Sequence, residues 1–234
     1  MNETASRGIW LFGLYIATCC VTAIAQSDDT KNTVKIGYAA LNFNASSGEL
    51  TGPPGTTPAG ATTGINNAQT AGLIYERKVS GPWSFVGQIG YPLTIQFKGA
   101  GTAAALGQVG SAKAWFPSAL VTYSFAGPQT LRPYVGAGAN YAFFTQPQAG
   151  PAYNGAFGGT SSTVGLKSSL GAVAKLGMEI PLSNTWVVDI AYSRYWIKTT
   201  ATIVTATPNV GNIERKVDIK TTPEVFGVFL GYRF

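Results

Sequence analysis

Large apolar positions alternate with small or polar ones along most of this chain, and the pattern is cleanest near its C-terminus. Phe226, Val228, Leu230, Tyr232 and Phe234 are large and apolar, Gly227, Gly231 and Arg233 stand between them, and Phe229 is the one bulky exception. A period of two is the signature of a β-strand whose two faces meet different surroundings. Turn residues divide the chain into eight such strands, at 33–43, 68–78, 83–97, 112–125, 131–144, 168–180, 185–203 and 214–234. The connections alternate between short (79–82, 126–130, 181–184) and long (44–67, 98–111, 146–167, 204–213). The short ones carry turn residues, and the long ones are rich in Gly, Thr, Ala, Pro and Asn. Short turns at one end and long loops at the other are the layout of a membrane-spanning barrel, and an even strand number returns both chain ends to the short-turn side. The predicted fold is all-β, an eight-stranded antiparallel transmembrane β-barrel.

Individual strands show the alternation. On the fifth, Val135, Ala137, Ala139, Tyr141 and Phe143 oppose Arg132, Tyr134, Gly136, Gly138 and Asn140; on the third, Phe85, Ile89, Tyr91 and Leu93 oppose Ser84, Gln88 and Gly90. The fourth is blurred by Trp115-Phe116-Pro117, where proline removes a ladder donor and points to a bulge or frayed end. Aromatic residues fall into two bands. Trp83, Phe125, Trp186, Tyr232 and Phe234 lie beside the short turns; Phe43, Phe97, Trp115, Phe143, Phe144 and Trp196 lie near the long loops. Amphipathic rings collect at both headgroup levels of a membrane, so two belts are expected.

Composition narrows the class. Charged residues make up 11% of the chain, against roughly 25% in ordinary soluble domains. Residues 1–25 read as a secretory signal peptide: a polar start, an apolar run over 8–21, and Ala23-Ile24-Ala25 before a cut at Gln26. Beyond it no apolar run is long enough for a spanning helix. The expected organisation is signal 1–25, a short periplasmic segment 26–32 and one barrel over 33–234. Cys19 and Cys20 leave with the signal, so the mature chain holds no thiol. There is no histidine. Triads, Cys–His pairs and nearly all zinc sites are thereby excluded, and the expectation is a non-enzyme without cofactor or metal. The net charge of +6 survives the cleavage, because Glu3 and Arg7 leave together. The basic residues are scattered, with no cluster longer than Arg77-Lys78 or Arg215-Lys216, which disfavours nucleic acid. Acidic lipopolysaccharide and outer-membrane lipid are the natural partners.

Strand phase also sorts the interior. Lys35, Glu76, Arg132, Lys175, Glu179, Asp189 and Arg233 fall on inward positions, where buried charges must pair. A charge network low in the lumen is expected, as a plug or as a polar gate. Ile74, Val86, Leu120, Val173 and Phe229 are inward and apolar. Eight strands leave room for little beyond side chains or one small ligand, which disfavours a wide aqueous pore.

These features meet in a resemblance. Gly107-Gln108-Val109-Gly110 with Lys113, Leu131-Arg132-Pro133-Tyr134-Val135-Gly136-Ala137-Gly138 with Asn140-Tyr141, Pro181-Leu182-Ser183-Asn184 and the ending Gly231-Tyr232-Arg233-Phe234 resemble the OmpW-like outer-membrane barrel family over 34–234. The first long loop, 44–67, departs from it. The resemblance implies a monomer in the outer membrane of a Gram-negative bacterium, with a narrow apolar channel that binds or passes small hydrophobic molecules and releases them sideways into lipid. Tyr232 and Phe234 are similar to the terminal signal that the barrel assembly machinery reads. The competing reading is a structural or adhesion barrel with a closed interior, whose external loops bind surface or host ligands.

Overall fold

The structure is a computed structural model that describes residues 31–125 and 131–234. The expected signal peptide, residues 26–30 and the turn at 126–130 lie outside the described residues. The strands are β1 (Asn32–Asn42), β2 (Ala45–Ser47), β3 (Ala61–Ile65), β4 (Ala68–Ser80), β5 (Trp83–Gly90), β6 (Leu93–Gly101), β7 (Gln108–Trp115), β8 (Ser118–Ser124), β9 (Arg132–Ala149), β10 (Ser161–Leu166), β11 (Ser169–Pro181), β12 (Trp186–Tyr195), β13 (Ile197–Thr207), β14 (Gly211–Thr221) and β15 (Glu224–Arg233). A short helix, α1 (Pro151–Ala156), precedes β10.

Eight of these strands close an antiparallel ring in the order β1-β4-β5-β8-β9-β11-β12-β15 and back to β1. Closure removes every free edge, the condition for a sheet to survive in hydrocarbon. The seam joins β1 to β15 with Thr33 opposite Arg233. Asn32 and Phe234 there exchange a pair of backbone hydrogen bonds of 3.0 and 2.8 Å. Ile36, Leu73, Leu176, Ile190, Phe226 and Val228 are exposed on the outer face although large and apolar. Such a band suits lipid and not water.

The sequence reading treats 44–67, 98–111, 146–167 and 204–213 as loops, and here the structure differs. Much of them is paired strand above the ring. One sheet is β3-β6-β7 with the upper half of β9, and the other is β10-β13-β14-β2. Positive φ at Gly101 and Gly107, +59° and +62°, lets the chain turn between β6 and β7.

Ring and upper sheets meet at a level where several strands are interrupted. At Phe116–Pro117 and at Trp196 the inward series continues on the same parity. At Tyr91–Pro92 it inverts: Ser84 and Val86 face inward on even positions, then Leu93 and Ile95 do so on odd ones. Leu93, expected on the same face as Phe85 and Ile89, is therefore buried at 5% exposure. The chain inverts likewise between β3 and β4, where Ile65 and Ala68 both pack inward. Three aromatics expected in the loop-side belt turn inward for related reasons. Phe43 is buried, and Phe97 and Phe144 pack against the interior cluster of Leu41, Leu93 and Ile95. Trp115 and Phe143, stacked at 5.8 Å, stay partly exposed at that level with Trp196.

Candidate functional site

The lower lumen is filled by charge. Lys35 on β1 reaches three carboxylates, Glu76 on β4 at 2.8 Å, Glu179 on β11 at 2.6 Å and Asp189 on β12 at 2.9 Å. Arg233 on β15 holds the second oxygen of Glu179 at 3.1 Å, and the Tyr134 hydroxyl donates to Asp189 at 2.8 Å. Register explains the meeting: Glu179 and Asp189 are directly opposite on β11 and β12, and Lys35 is directly opposite Gly231 on β15, whose missing side chain leaves it room. Arg132 stands opposite Glu179 on β9 and is partly exposed. Lys175 sits above and forms no ion pair among the described residues. It donates to Gln88 at 3.2 Å and lies over the rings of Tyr134 and Phe229.

Above the charges the interior turns apolar. Ile74, Val86, Leu120, Val173 and Phe229 form one buried cluster with Ala39, Ala142, Tyr195 and Ile197. Phe229 lies flat across the wall, because Gly37, Gly72 and Gly227 have no side chains there. A Cβ on Gly227 would meet its ring at 2.4 Å and one on Gly37 at 2.7 Å. Over the ring remains a cavity of about 70 Å³, bounded below by Lys175, Gln88 and Phe229 and above by Leu41, Leu93, Phe116 and Ile197. Of the five inward apolar residues named from sequence, only Ile74 and Phe229 border it; Val86, Leu120 and Val173 are packing beside it.

This cavity lies against the wall where β4 and β5 part. Leu73, Ile89 and Tyr91 border it and are also exposed on the outer face. The ladder between β4 and β5 ends at Gly72 opposite Gly90; beyond it the Tyr91 amide donates to the Ala71 carbonyl and the Thr70 hydroxyl to the Tyr91 carbonyl, and the next backbone bond runs from Asn66 to Gln96. Between them β6 leaves β4 and pairs with β3 and β7. Pro92, with no N–H to give, stands in this window. On one side of Pro117 the wall is continuous, since β9 runs unbroken past both β7 and β8 and the Tyr141 amide bonds the Pro117 carbonyl; on its other side the ladder with β5 stops at Ser118 opposite Gln88 and that with β6 begins at Ala114 opposite Leu93.

A second apolar chamber of about 80 Å³ lies between the two upper sheets, walled by Phe97, Leu106, Val164, Ile203, Val217 and Ile219. Tyr153 and Phe157 of the α1 region border it. Arg215, inward on β14 just beyond Val217, places its guanidinium 4.4 Å from the Phe157 ring centre. The sequence reading names Arg215 only as half of a short basic pair. Counting inward positions 215, 217, 219 and 221 would have found it. Gln88, Tyr134 and Tyr195 were also legible as inward residues by alternation but carried no special chemistry.

Tyr232 and Phe234 lie on the outer face at the short-turn end, with Trp186 packed edge-on to Tyr232 at 5.2 Å.

Comparison with known proteins supplies the remaining finding. The profile of the OmpW family matches residues 31–234. Outer membrane protein W of Vibrio cholerae serotype O1 is 31% identical over 140 residues, 57% of this chain and 58% of that protein. The match thus spans little more than half the length of that relative. The dibenzothiophene metabolism operon protein PahQ of Pseudomonas aeruginosa is 23% identical over 221 residues, 92% of this chain and 94% of its own. The crystal structure of the outer membrane protein OprG from Pseudomonas aeruginosa superposes with a TM-score of 0.78 at 22% identity, covering 88% of this chain and 96% of that one.

Proposed function

Because this chain belongs to the OmpW family and resides in the bacterial outer membrane, we propose that it admits small hydrophobic molecules from outside and releases them sideways into the membrane. The observation that carries this reading is the apolar cavity whose border includes the lipid-facing residues Leu73, Ile89 and Tyr91. Straight passage is opposed by the ion pairs of Lys35 below, where an apolar solute would have to displace buried charges from one another. Sideways exit carries no such cost, since the solute leaves one apolar medium for another, and shedding water on entry contributes about 25 cal/mol per Å² of apolar surface. PahQ takes its name from metabolism of dibenzothiophene, a fused apolar aromatic, and that likeness supports an apolar cargo. The barrel acts as a monomer set in lipid and lipopolysaccharide, is inserted by the assembly machinery through Tyr232 and Phe234, and performs no catalysis.

The window gives the test. A Cβ on Gly90 would lie 3.2 Å from the Thr70 methyl, at the mouth of the opening. Gly90→Leu should therefore fill the window and lower naphthalene uptake by expressing cells at least five-fold, while the barrel keeps its heat-modifiable gel mobility. Uptake at the parent rate by the folded variant would mean that the cavity is only a packing gap.

A further inference from the structure

The floor of the lower cavity carries a charge that the lateral route does not use. Lys175 borders that cavity, is 5% exposed, and forms no ion pair among the described residues. Its ammonium donates to the Gln88 side-chain carbonyl at 3.2 Å and lies over the rings of Tyr134 and Phe229, 5.8 and 5.9 Å from their centres. Gln88 is fixed in that role, because its amide nitrogen donates to the Tyr195 hydroxyl at 2.7 Å and leaves the carbonyl for the lysine. Gln88, Phe229 and Tyr195 border the cavity too, so the ammonium is held among its lining residues. The charges beneath do not need it. Lys35, Arg132 and Arg233 match Glu76, Glu179 and Asp189 in number, with Arg132 directly opposite Glu179 and the ion pairs of Lys35 and Arg233 closing on the three acids. Lys175 is therefore a cation in excess. An ammonium has three N–H groups, and a single bond to a neutral amide replaces little of the water it gives up on burial.

We propose that the lower cavity binds small apolar molecules that carry one carboxylate, with Lys175 holding the carboxylate and Phe229, Leu41, Leu93 and Ile197 the apolar body. A carboxylate supplies the missing counter-charge and accepts from the ammonium in a charge-assisted bond, about twice as strong as a neutral one. A hydrocarbon fits the same walls but leaves the cation uncompensated. A phosphate dianion would bring a second negative charge that one ammonium does not balance. The cavity of about 70 Å³ is several times the roughly 10–15 Å³ that admits one water, which suits a single ring or a short alkyl chain. Lys175 thereby sorts the cargo. Neutral molecules move on through the wall, whereas acids are held at the floor, because leaving for lipid as an ion is costly. This deepens the lateral-release reading of the same cavity and rests on it for the sorting, though the binding stands without it.

The test uses the full barrel in lipid nanodiscs, with benzoate and benzyl alcohol as probes that share one ring, isothermal titration at pH 7 as the readout and empty nanodiscs as the blank. The parent should bind benzoate at least ten-fold more tightly than benzyl alcohol. Lys175→Met should bring the two within two-fold, and Lys175→Arg, which keeps the charge, should retain most of the preference. Lys175→Gln, polar but uncharged, decides in the same way if the first variant does not fold. Equal affinities in the parent, binding of neither probe, or an unchanged preference in a folded uncharged variant would each overturn the proposal. Naphthalene uptake reads the lateral route separately. A benzoate preference beside parental uptake by Gly90→Leu refutes lateral release alone, and equal probe affinities beside lowered uptake refute the carboxylate site alone.

Discussion

Lys35 is the residue on which the lower lumen turns. One ammonium compensates three carboxylates, so its removal strands more charge than removal of any one acid. Lys35→Met should lower unfolding stability in detergent by about 3–5 kcal/mol, the usual cost of breaking a buried pair. Glu76→Gln, which leaves Lys35 two partners, should cost less than half as much. Adding Asp189→Asn to Lys35→Met should cost less than the sum of the two single changes, because they share one partner. Guanidinium titrations followed by tryptophan fluorescence check all three, and additive costs would mean separately hydrated groups. Period-two counting placed each of these charges inward, since that rule needs only parity. It could not say that Lys175 bonds Gln88 in place of an acid, or that three glycines make a bed for Phe229, because both depend on which strands lie side by side.

Among elements, the ring strands were legible and the upper sheets were not. A strand between lipid and lumen must show strong contrast between its faces, whereas β3, β10 and β13, rich in Thr, Ala, Gly and Ser, show little. Phase was lost at Tyr91–Pro92, because alternation read from one side of an interruption carries no knowledge of the residue skipped there. That is why Leu93 reads from sequence as sharing a face with Phe85. The outer face of β13 and β14 has its own consequence. Lys198 and Lys220 stand directly opposite each other, both exposed, two residues beyond Trp196. Like charges in that position repel, unless an anion lies between them, and each lysine near an anionic lipid surface gains about 1 kcal/mol. Lipopolysaccharide phosphate should supply it. In vesicles containing lipopolysaccharide the parent should melt higher than in phosphatidylcholine, and Lys198→Ala with Lys220→Ala should remove most of that difference. Equal gains in both proteins would assign the lysines to solvent.

At the scale of the whole molecule, strand number, closure and the division into a short-turn end and a long-connection end all followed from sequence, because lipid punishes any exception. Orientation follows from the same asymmetry. Val210, exposed beyond β13, should face the cell exterior, and Leu182, exposed in the turn after β11, the periplasm. With a cysteine at either position, a membrane-impermeant maleimide should label Val210→Cys on intact cells and Leu182→Cys only after permeabilisation; labelling of both on intact cells would refute the topology. The seam between β1 and β15 has a kinetic meaning. Every other wall contact joins strands that are neighbours along the sequence or nearly so, and these can form as hairpins as soon as both partners exist. The seam pairs Thr33 with Arg233, so nearly the whole described chain is the loop that must be closed before its bonds give any return. Until then the growing sheet has two open edges, each able to pair with a foreign strand. Barrel completion is thus a single late event, and the time spent waiting for β15 is the interval in which this protein is most exposed to misassembly.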